Sequence, residues 1–468
     1  MNTNGTLAPA PEEDIFFPSN RYGKSVDLNI PDSPKPRVVV IGGGFAGINF
    51  LRQLDMDRFQ VVLFDRHNYH TFQPLLYQVA TAGLEPDAIA GPLRQLFEPA
   101  PDFYFRLGTA DRIVPEKNQV ITSLGPLDYD LLVIANGTRT NYFGQDEKFK
   151  KAFPLKQVPQ ALNLRSHMLQ CLEKAVLSEG EERQALLNFV FVGGGPTGVE
   201  MAGAFGELKQ HVLPNDYDEL NLDQMNIYLV EGTGRLLNGM SDYAGRKAKE
   251  YLKKFDVKLM LEQMVESYDG DVVLLKGGEE IKAKTVVWAA GVEGNLVEGM
   301  SEKAVEKGNR LRVDRYNRVQ GYGNIYALGD IAAMTSEKWA KGHPQLAPVA
   351  IQQGKHLAKN LNRMLRGQPL RPFKYVDKGY MATVGRNRAV ADLPFNIHLG
   401  GFPAWISWMG IHLIFLVGFR SKIVTLTNWT YNYFTYDRGV RLIIRPSHRN
   451  PVNLPVEREA KHPAQTDY

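Results

Sequence analysis

Residues 37–65 read RVVVIGGGFAGINFLRQLDMDRFQVVLFD. A β-branched run, Val38 to Ile41, meets Gly42, Gly43 and Gly44. Phe45, Ala46 and Gly47 then open an apolar-periodic segment, and a second β run ends in Asp65. The order is strand, glycine turn, helix, strand: one βαβ unit with a dinucleotide fingerprint in its first turn. Gly42 permits the tight turn, Gly44 lets backbone approach a pyrophosphate, and Gly47 lets helix pack on strand. The pyrophosphate belongs on the helix N-terminus, where unpaired N–H groups and the dipole favour anions. Asp65 is placed to accept from a ribose hydroxyl. Glycines alone mark ordinary turns; the flanking strand, helix and acid make this a binding motif.

The pattern then repeats. Asn188 to Val192 reads as a strand, and Gly193, Gly194, Gly195, Pro196, Thr197 and Gly198 as the turn. Val199 to His211 reads as a helix, and Asn226 to Val230 as a strand ending in Glu231. Two fingerprints in one chain point to two dinucleotides brought together. An acid at Glu231 favours a free ribose 2′-OH, hence NADH, although Arg235 lies close by in sequence. Each unit also sends a later strand into a small-residue turn. Leu131 to Ile134 enters Ala135-Asn136-Gly137, and Thr285 to Trp288 enters Ala289-Ala290-Gly291. The chain returns to the first unit near Leu311. The fold class expected is therefore α/β, with two Rossmann-like dinucleotide-binding domains, the second inserted in the first.

Length and charge narrow the class. A chain of 468 residues has room for two to three domains, and 44% apolar content is enough to fold them. The net charge of +4 is small for this length and argues against a nucleic-acid partner. Cys171 is the single cysteine, which excludes an internal disulfide, a redox cysteine pair and a multi-cysteine metal site. His67 and His70 lack a nearby third ligand, so no metal is expected. Residues 1–36 read as an N-terminal arm, without the pattern of a signal peptide and with Ile15-Phe16-Phe17 able to dock on the body.

Several polar residues stand where ligands bind. Ile325-Tyr326-Ala327-Leu328-Gly329-Asp330 places Asp330 at the C-terminal edge of a short strand, beside Gly329, suited to a ribityl hydroxyl or to an N-cap. Glu200, in the first turn of the second helix, suits the nicotinamide edge or simply the helix dipole. Gln352 and Gln353 are uncharged donors in an apolar helix start at Ala347, suited to a quinone carbonyl or to solvent. Arg66 to Tyr77 is interrupted by Pro74 and reads as an aromatic loop, either packed or lining the cofactor ring.

Gly401 to Phe419 holds no charged residue and reads GFPAWISWMGIHLIFLVGF. A core helix, a membrane span and an in-plane anchor all fit its length. Pro403, Gly410, Gly418 and the aromatics favour the in-plane anchor. Trp405, Trp408, Phe415 and Phe419 would then lie at headgroup depth, with Arg420 and Lys422 toward phosphates. Arg438, Arg441, Arg445, His448 and Arg449 add a cationic tail.

Taken together, Val40 to Gly47, Tyr69 to Thr81, Val192 to Glu200, Tyr326 to Asp330 and Gly401-Phe402-Pro403-Ala404-Trp405 resemble the type II NADH:quinone oxidoreductases, or alternative NADH dehydrogenases. The resemblance spans about Lys35 to Arg445. It implies a two-dinucleotide-binding flavoprotein fold with a C-terminal membrane-anchoring helical region. Domain boundaries follow at 37–155 and 306–395 for FAD, 156–305 for NADH and 396–468 for the anchor. It assigns Gly42, Gly44, Phe45, Ala46, Gly47, Asp65, Ala135, Gly137, Gly329 and Asp330 to non-covalent FAD. It assigns Gly193, Gly195, Pro196, Thr197, Gly198, Glu200, Glu231, Ala290 and Gly291 to NADH. Gln352, Gln353, Tyr380 and Met381 fall to the quinone, with Glu200 and Gln352 as the residues of catalysis. The family's quinone motif is Ala-Gln-x-Ala-x-Gln; this chain reads Ala347-Pro348-Val349-Ala350-Ile351-Gln352, so Pro348 replaces the first glutamine. The implied activity is a non-proton-pumping respiratory one, on the cytoplasmic face of a bacterial-type inner membrane, in a homodimer. The rival reading is an FAD-dependent NADH reductase of a protein acceptor; from another class, a nucleotide-sensing module without turnover also fits.

Overall fold

A computed structural model describes residues 27–444 apart from 99, 101 and 437. In chain order it contains β1 (Arg37–Ile41), α1 (Phe45–Leu51), β2 (Gln60–Asp65), β3 (Phe103–Leu107), β4 (Leu131–Ile134), β5 (Phe153–Pro154), α2 (Val158–Leu177), β6 (Asn188–Val192) and α3 (Pro196–Glu207). There follow β7 (Asn226–Glu231), α4 (Asp242–Lys254), β8 (Val257–Leu261), β9 (Thr285–Trp288), β10 (Ile325–Ala327) and α5 (Ala347–Met364). The C-terminal part holds β11 (Tyr380–Thr383), β12 (Ala389–Leu393), β13 (Ile397–Gly401), α6 (Phe402–Phe415) and α7 (Phe419–Thr435).

Two parallel sheets carry the molecule. The first has the order β10-β4-β1-β2-β3 and the second β5-β9-β6-β7-β8. Strand β10 reaches the first sheet after the whole second sheet has been built, so the second unit is inserted in the first. Both sheets are covered on both faces, which is why their strands are continuous apolar runs. Val38 and Val40 pack on one side of the first sheet with Ile48 and Leu357, while Val39 and Ile41 face the other with Ile325. The α1 and α5 backbones touch at Gly354, where an added Cβ would lie 2.4 Å from the Ala46 carbonyl oxygen.

Three segments depart from expectation. The second-unit helix begins at Pro196 rather than Val199, and widens to a π turn over Leu208–Val212. Helix α4 was not expected, although Ser241 caps it by accepting the Ala244 N–H at 3.2 Å. The uncharged run 401–419 is not one helix. It ends at Phe415, turns through Gly418 at φ +91°, and α7 continues the layer.

Among the described residues no helix is long and apolar enough to cross a membrane. The α6–α7 pair instead packs on the β11–β13 sheet and on residues Pro86–Ile89 of the first unit, and leaves an apolar stripe outward. Phe402 and Ile406 on α6, and Phe419, Ile423 and Leu426 on α7, are 46–79% exposed. The last three fall at helical positions i, i+4 and i+7, which share one face. Trp408, expected at headgroup depth, is instead fully buried. Trp405 stacks on Tyr433, and Phe415 is half-buried under Lys378. Arg438 and Arg441, expected in a lipid-facing tail, pair internally with Glu207 at 2.8 Å and Asp216 at 2.6 Å. Arg420 bonds the exposed Asp87 carboxylate at 3.0 Å, and Lys422 donates to the Ile414 carbonyl. Ile15-Phe16-Phe17, Arg445, His448 and Arg449 lie outside the described residues.

Candidate functional site

The two glycine turns are built alike. Gly42 and Gly193 have φ +105° and +111°, in the region that favours glycine. A Cβ on Gly42 would sit 2.5 Å from the Ala135 carbonyl oxygen, and one on Gly193 2.6 Å from that of Ala289. Gly47 and Gly198 face their own turn's carbonyl oxygen at 2.0 and 1.9 Å. Gly44 and Gly195 differ: nothing lies closer than 4.0 Å to the first, and nothing within 4 Å of the second. The protein's own packing does not require glycine at these two positions. Their bare backbone opens the approach to the starts of α1 and α3, neither of which has a side-chain cap. That fits a pyrophosphate at each turn.

Each turn is tied to its acid. Asp65 accepts the Gly43 N–H at 2.6 Å and the His67 N–H at 2.7 Å. Burial pushes its carboxyl upward, against those bonds. Glu231 accepts the Gly194 N–H at 2.6 Å and the Thr233 N–H at 2.8 Å. Both carboxylates therefore hold the turn as well as standing where a ribose would lie. Arg235 turns away from Glu231, to Asp242 and the Met240 carbonyl.

The seam between the units gathers the remaining polar groups. Thr138–Thr140 pairs antiparallel with Val292–Gly294, and Asn136 donates to the Asn295 carbonyl at 2.6 Å. Ala135 and Gly137 on one side and Ala290 and Gly291 on the other lie at this seam. Asp330 sits inside a 3₁₀ turn, not at its N-cap, and accepts from Thr138 Oγ1 at 3.5 Å. Burial raises its carboxyl, while the charges of Lys156 and Arg310 hold it back. Lys156, which sequence reasoning missed, is kept there by the β5–α2 corner. Its N–H donates to Gln160 at 2.7 Å, and the next residue, Gln157, meets His67 at 3.2 Å. Nothing in the local sequence marks that corner, because its neighbours come from the other unit.

The glutamines behave differently from each other. Gln353, expected on the quinone side, is fully buried; its Oε1 accepts the Gly329 N–H at 2.7 Å. It therefore braces the Gly329–Asp330 turn. Gln352 clasps Val376, donating to its carbonyl at 2.9 Å and accepting its N–H at 3.0 Å. Each amide atom keeps one further donor or acceptor position. Nearby, a cavity of about 320 Å³ lies between α1, α5 and the α6–α7 turn, lined by Phe45, Asn49, Ile351, Lys355, Phe415 and Val417. Tyr380 and Met381 begin β11, half-buried. Tyr69–Thr71 pairs with Ala90–Pro92, Phe72 packs edge-on to Phe45, and His70 bonds the Gly43 carbonyl at 3.0 Å. Among the described residues no group of three His, Cys, Asp or Glu could hold a metal.

Glu200 reaches from α3 to β11, where its Oε1 accepts the Thr383 N–H at 3.5 Å. Burial raises it to about 8. The unfolded carboxyl ionises near its ordinary value of 4.5 while the folded one keeps its proton to about 8, so folding stability falls as pH rises between those values. A Glu200→Gln variant is expected to match the wild type in Tm at pH 4.5 and to exceed it increasingly toward pH 8. Parallel melts across that range check this.

The comparisons with known proteins agree with this geometry. Residues 36–354 match the pyridine nucleotide-disulphide oxidoreductase family and residues 378–436 the NDH2 C-terminal domain. A type II NADH:quinone oxidoreductase of Mycobacterium tuberculosis is 35% identical over 424 residues, covering 86% of this chain and 89% of that protein. The chain belongs to the type II NADH:quinone oxidoreductase family. An internal alternative NAD(P)H-ubiquinone oxidoreductase of Solanum tuberosum is 30% identical, covering 84% of this chain and 86% of its own length. In fold, this type II oxidoreductase is similar to NDH2 of Plasmodium falciparum, with a TM-score of 0.81 at 21% identity over 88% of this chain and all of that one. It also shares its fold with a sulfide:quinone oxidoreductase of Aquifex aeolicus, with a TM-score of 0.63 at 20% identity over 88% of this chain and 96% of that one. Cys171, buried and the single cysteine, leaves this type II chain no cysteine pair.

Proposed function

We propose that this protein oxidises NADH and passes two electrons to a membrane quinone through FAD. The observation that carries the reading is the pair of matched glycine turns, each with an acid at the next strand end, meeting at one seam. The turn at Gly42–Gly47, with Asp65, Ala135, Gly137, Gly329 and Asp330, holds FAD without a covalent bond. A bound FAD supplies the two-electron redox chemistry that joins NADH to quinone.

The chain's own residues orient and insulate that chemistry. The turn at Gly193–Gly198, with Pro196, Thr197, Ala290 and Gly291, seats NADH across the start of α3. Glu231 takes a ribose hydroxyl and repels a 2′-phosphate. Burial raises the Glu200 carboxyl to about 8, which favours its neutral form beside Thr383 on β11. The overall conversion of NADH and quinone consumes one proton from outside, and Glu200 is the buried titratable group placed to hold it. Quinone enters by the cavity between α1, α5 and the α6–α7 turn, with Gln352, Tyr380 and Met381 on its route. Pro348 has neither an N–H nor a polar side chain, so Gln352 acts there without a second glutamine.

The α6–α7 stripe lies on the bilayer surface at headgroup depth, on the cytoplasmic face, and the protein works as a homodimer. Domain limits at 37–155, 156–305, 306–395 and 396–468 complete the reading. Glu231→Gln is expected to narrow the NADH over NADPH preference in kcat/KM about tenfold, the size of one hydrogen bond to a charged group. An unchanged ratio would remove Glu231 from the ribose site. The activity itself is tested by NADH oxidation with a short-chain quinone and, separately, with an oxidised iron–sulfur protein. A quinone-dependent rate supports the reading; a rate seen with the protein acceptor alone would replace it.

A further inference from the structure

The two units share a turn but not what lies on it. A Cβ on Gly137, in the first, would meet nothing within 4 Å; one on Gly291, in the second, would lie 3.2 Å from the Phe143 ring. Phe143 comes from the first unit, on the loop after Thr138–Thr140. It is 60% exposed and has φ +55°, a conformation costly for a bulky side chain. The second unit's strand holds the loop in place. Trp288 Nε1 donates to the Asn141 carbonyl at 2.9 Å, and the Asn141 N–H donates to the Gly291 carbonyl at 3.1 Å. The Phe143 N–H in turn donates to Asn141 Oδ1 at 2.7 Å. Folding alone gives no reason for this residue. Glycine would remove the strain, and a polar side chain would suit the exposure.

The sheet order says what the ring faces. Glu231 ends β7 and marks the ribose on the adenosine side. Strand β9 lies across β6 from it, on the other side of the glycine turn. A dinucleotide whose pyrophosphate sits on that turn carries its second half toward β9 and Gly291. We propose that Phe143 is a positioning residue for the nicotinamide half of NADH, its ring lying against that planar or ribose face. The inference rests on the reading of the Gly193–Gly198 turn as the NADH site.

Calorimetric titration of NAD⁺ and of ADP-ribose into flavin-loaded protein tests it, using wild type, Phe143→Ala, Phe143→Gly and Phe143→Tyr. The expected Kd for NAD⁺ rises about three- to tenfold in the Ala and Gly variants, as for the loss of one aromatic contact, and is near wild type in Tyr. ADP-ribose, which lacks the nicotinamide, binds all four alike. Phe143→Gly also melts higher than wild type, because the strain is gone. Equal NAD⁺ affinity in the Ala variant and wild type overturns the proposal, as does an equal loss for ADP-ribose. Wild type that binds neither ligand would remove the NADH site itself, and Phe143 with it.

Discussion

A Gly198→Ala variant is expected to purify with its flavin and to lose NADH-driven flavin reduction. The added Cβ would stand 1.9 Å from the Gly193 carbonyl oxygen, and a backbone atom cannot swing aside as a side chain can. Either α3 moves off the turn or the turn opens, and both displace the backbone that seats the pyrophosphate. Overpacking of this kind costs about 1–3 kcal/mol or more, so binding should weaken at least about fivefold and by about a hundredfold at the upper end. Gly47→Ala makes the same clash in the first unit, at 2.0 Å from the Gly42 carbonyl oxygen. That variant should emerge without flavin. Visible absorbance of the purified proteins, and the rate at which NADH bleaches it, separate the two. Colourless Gly198→Ala beside yellow Gly47→Ala would reverse the assignment of cofactors to turns.

The second large effect belongs to the apolar stripe. Replacing Phe402, Ile406, Ile423 and Leu426 by serine should release the protein from anionic vesicles. Each of these side chains is close to half exposed, so re-burial in lipid contributes about half of the usual 1.5–3 kcal/mol per large apolar side chain. Four together amount to about 3–6 kcal/mol, or a partition constant lower by about 10² to 10⁴. Surface positions of this kind change folding stability little. The variant should keep NADH oxidation with a water-soluble quinone and lose it with a long-chain quinone held in vesicles. A variant that still sediments with vesicles would show that the stripe does another job.

The parts legible in the sequence are those set by local chemistry. Strands β1, β6, β4 and β9 have no polar alternative, and Gly42 and Gly193 must occupy a conformation closed to other residues. The acids at Asp65 and Glu231 follow from strand length. What the sequence does not show depends on who packs against whom. Gln352 and Gln353 are adjacent and chemically identical, yet one clasps Val376 and the other is buried under Gly329, a difference decided by which face of α5 meets α1. Trp408 and Arg438 look like membrane residues by type. They are inside because of what the folded chain brings to them: Tyr77 and Trp429 cover Trp408, and Glu207 receives Arg438. Lys156 and Phe143 escape notice for the same reason, since each acts on the unit to which its own strand does not belong. The break of 401–419 at Gly418 was marked in the sequence, but its consequence, two helices in one layer, needed the partner surface.

In the proposed reaction one flavin joins NADH to quinone. Sequential mixing under anaerobic conditions tests this most directly: NADH is added first, then quinone, while the flavin absorbance is followed. Bleaching by one equivalent of NADH and full recovery on one equivalent of quinone is the predicted result. Bleaching without recovery would leave both nucleotide sites standing and contradict quinone as the acceptor.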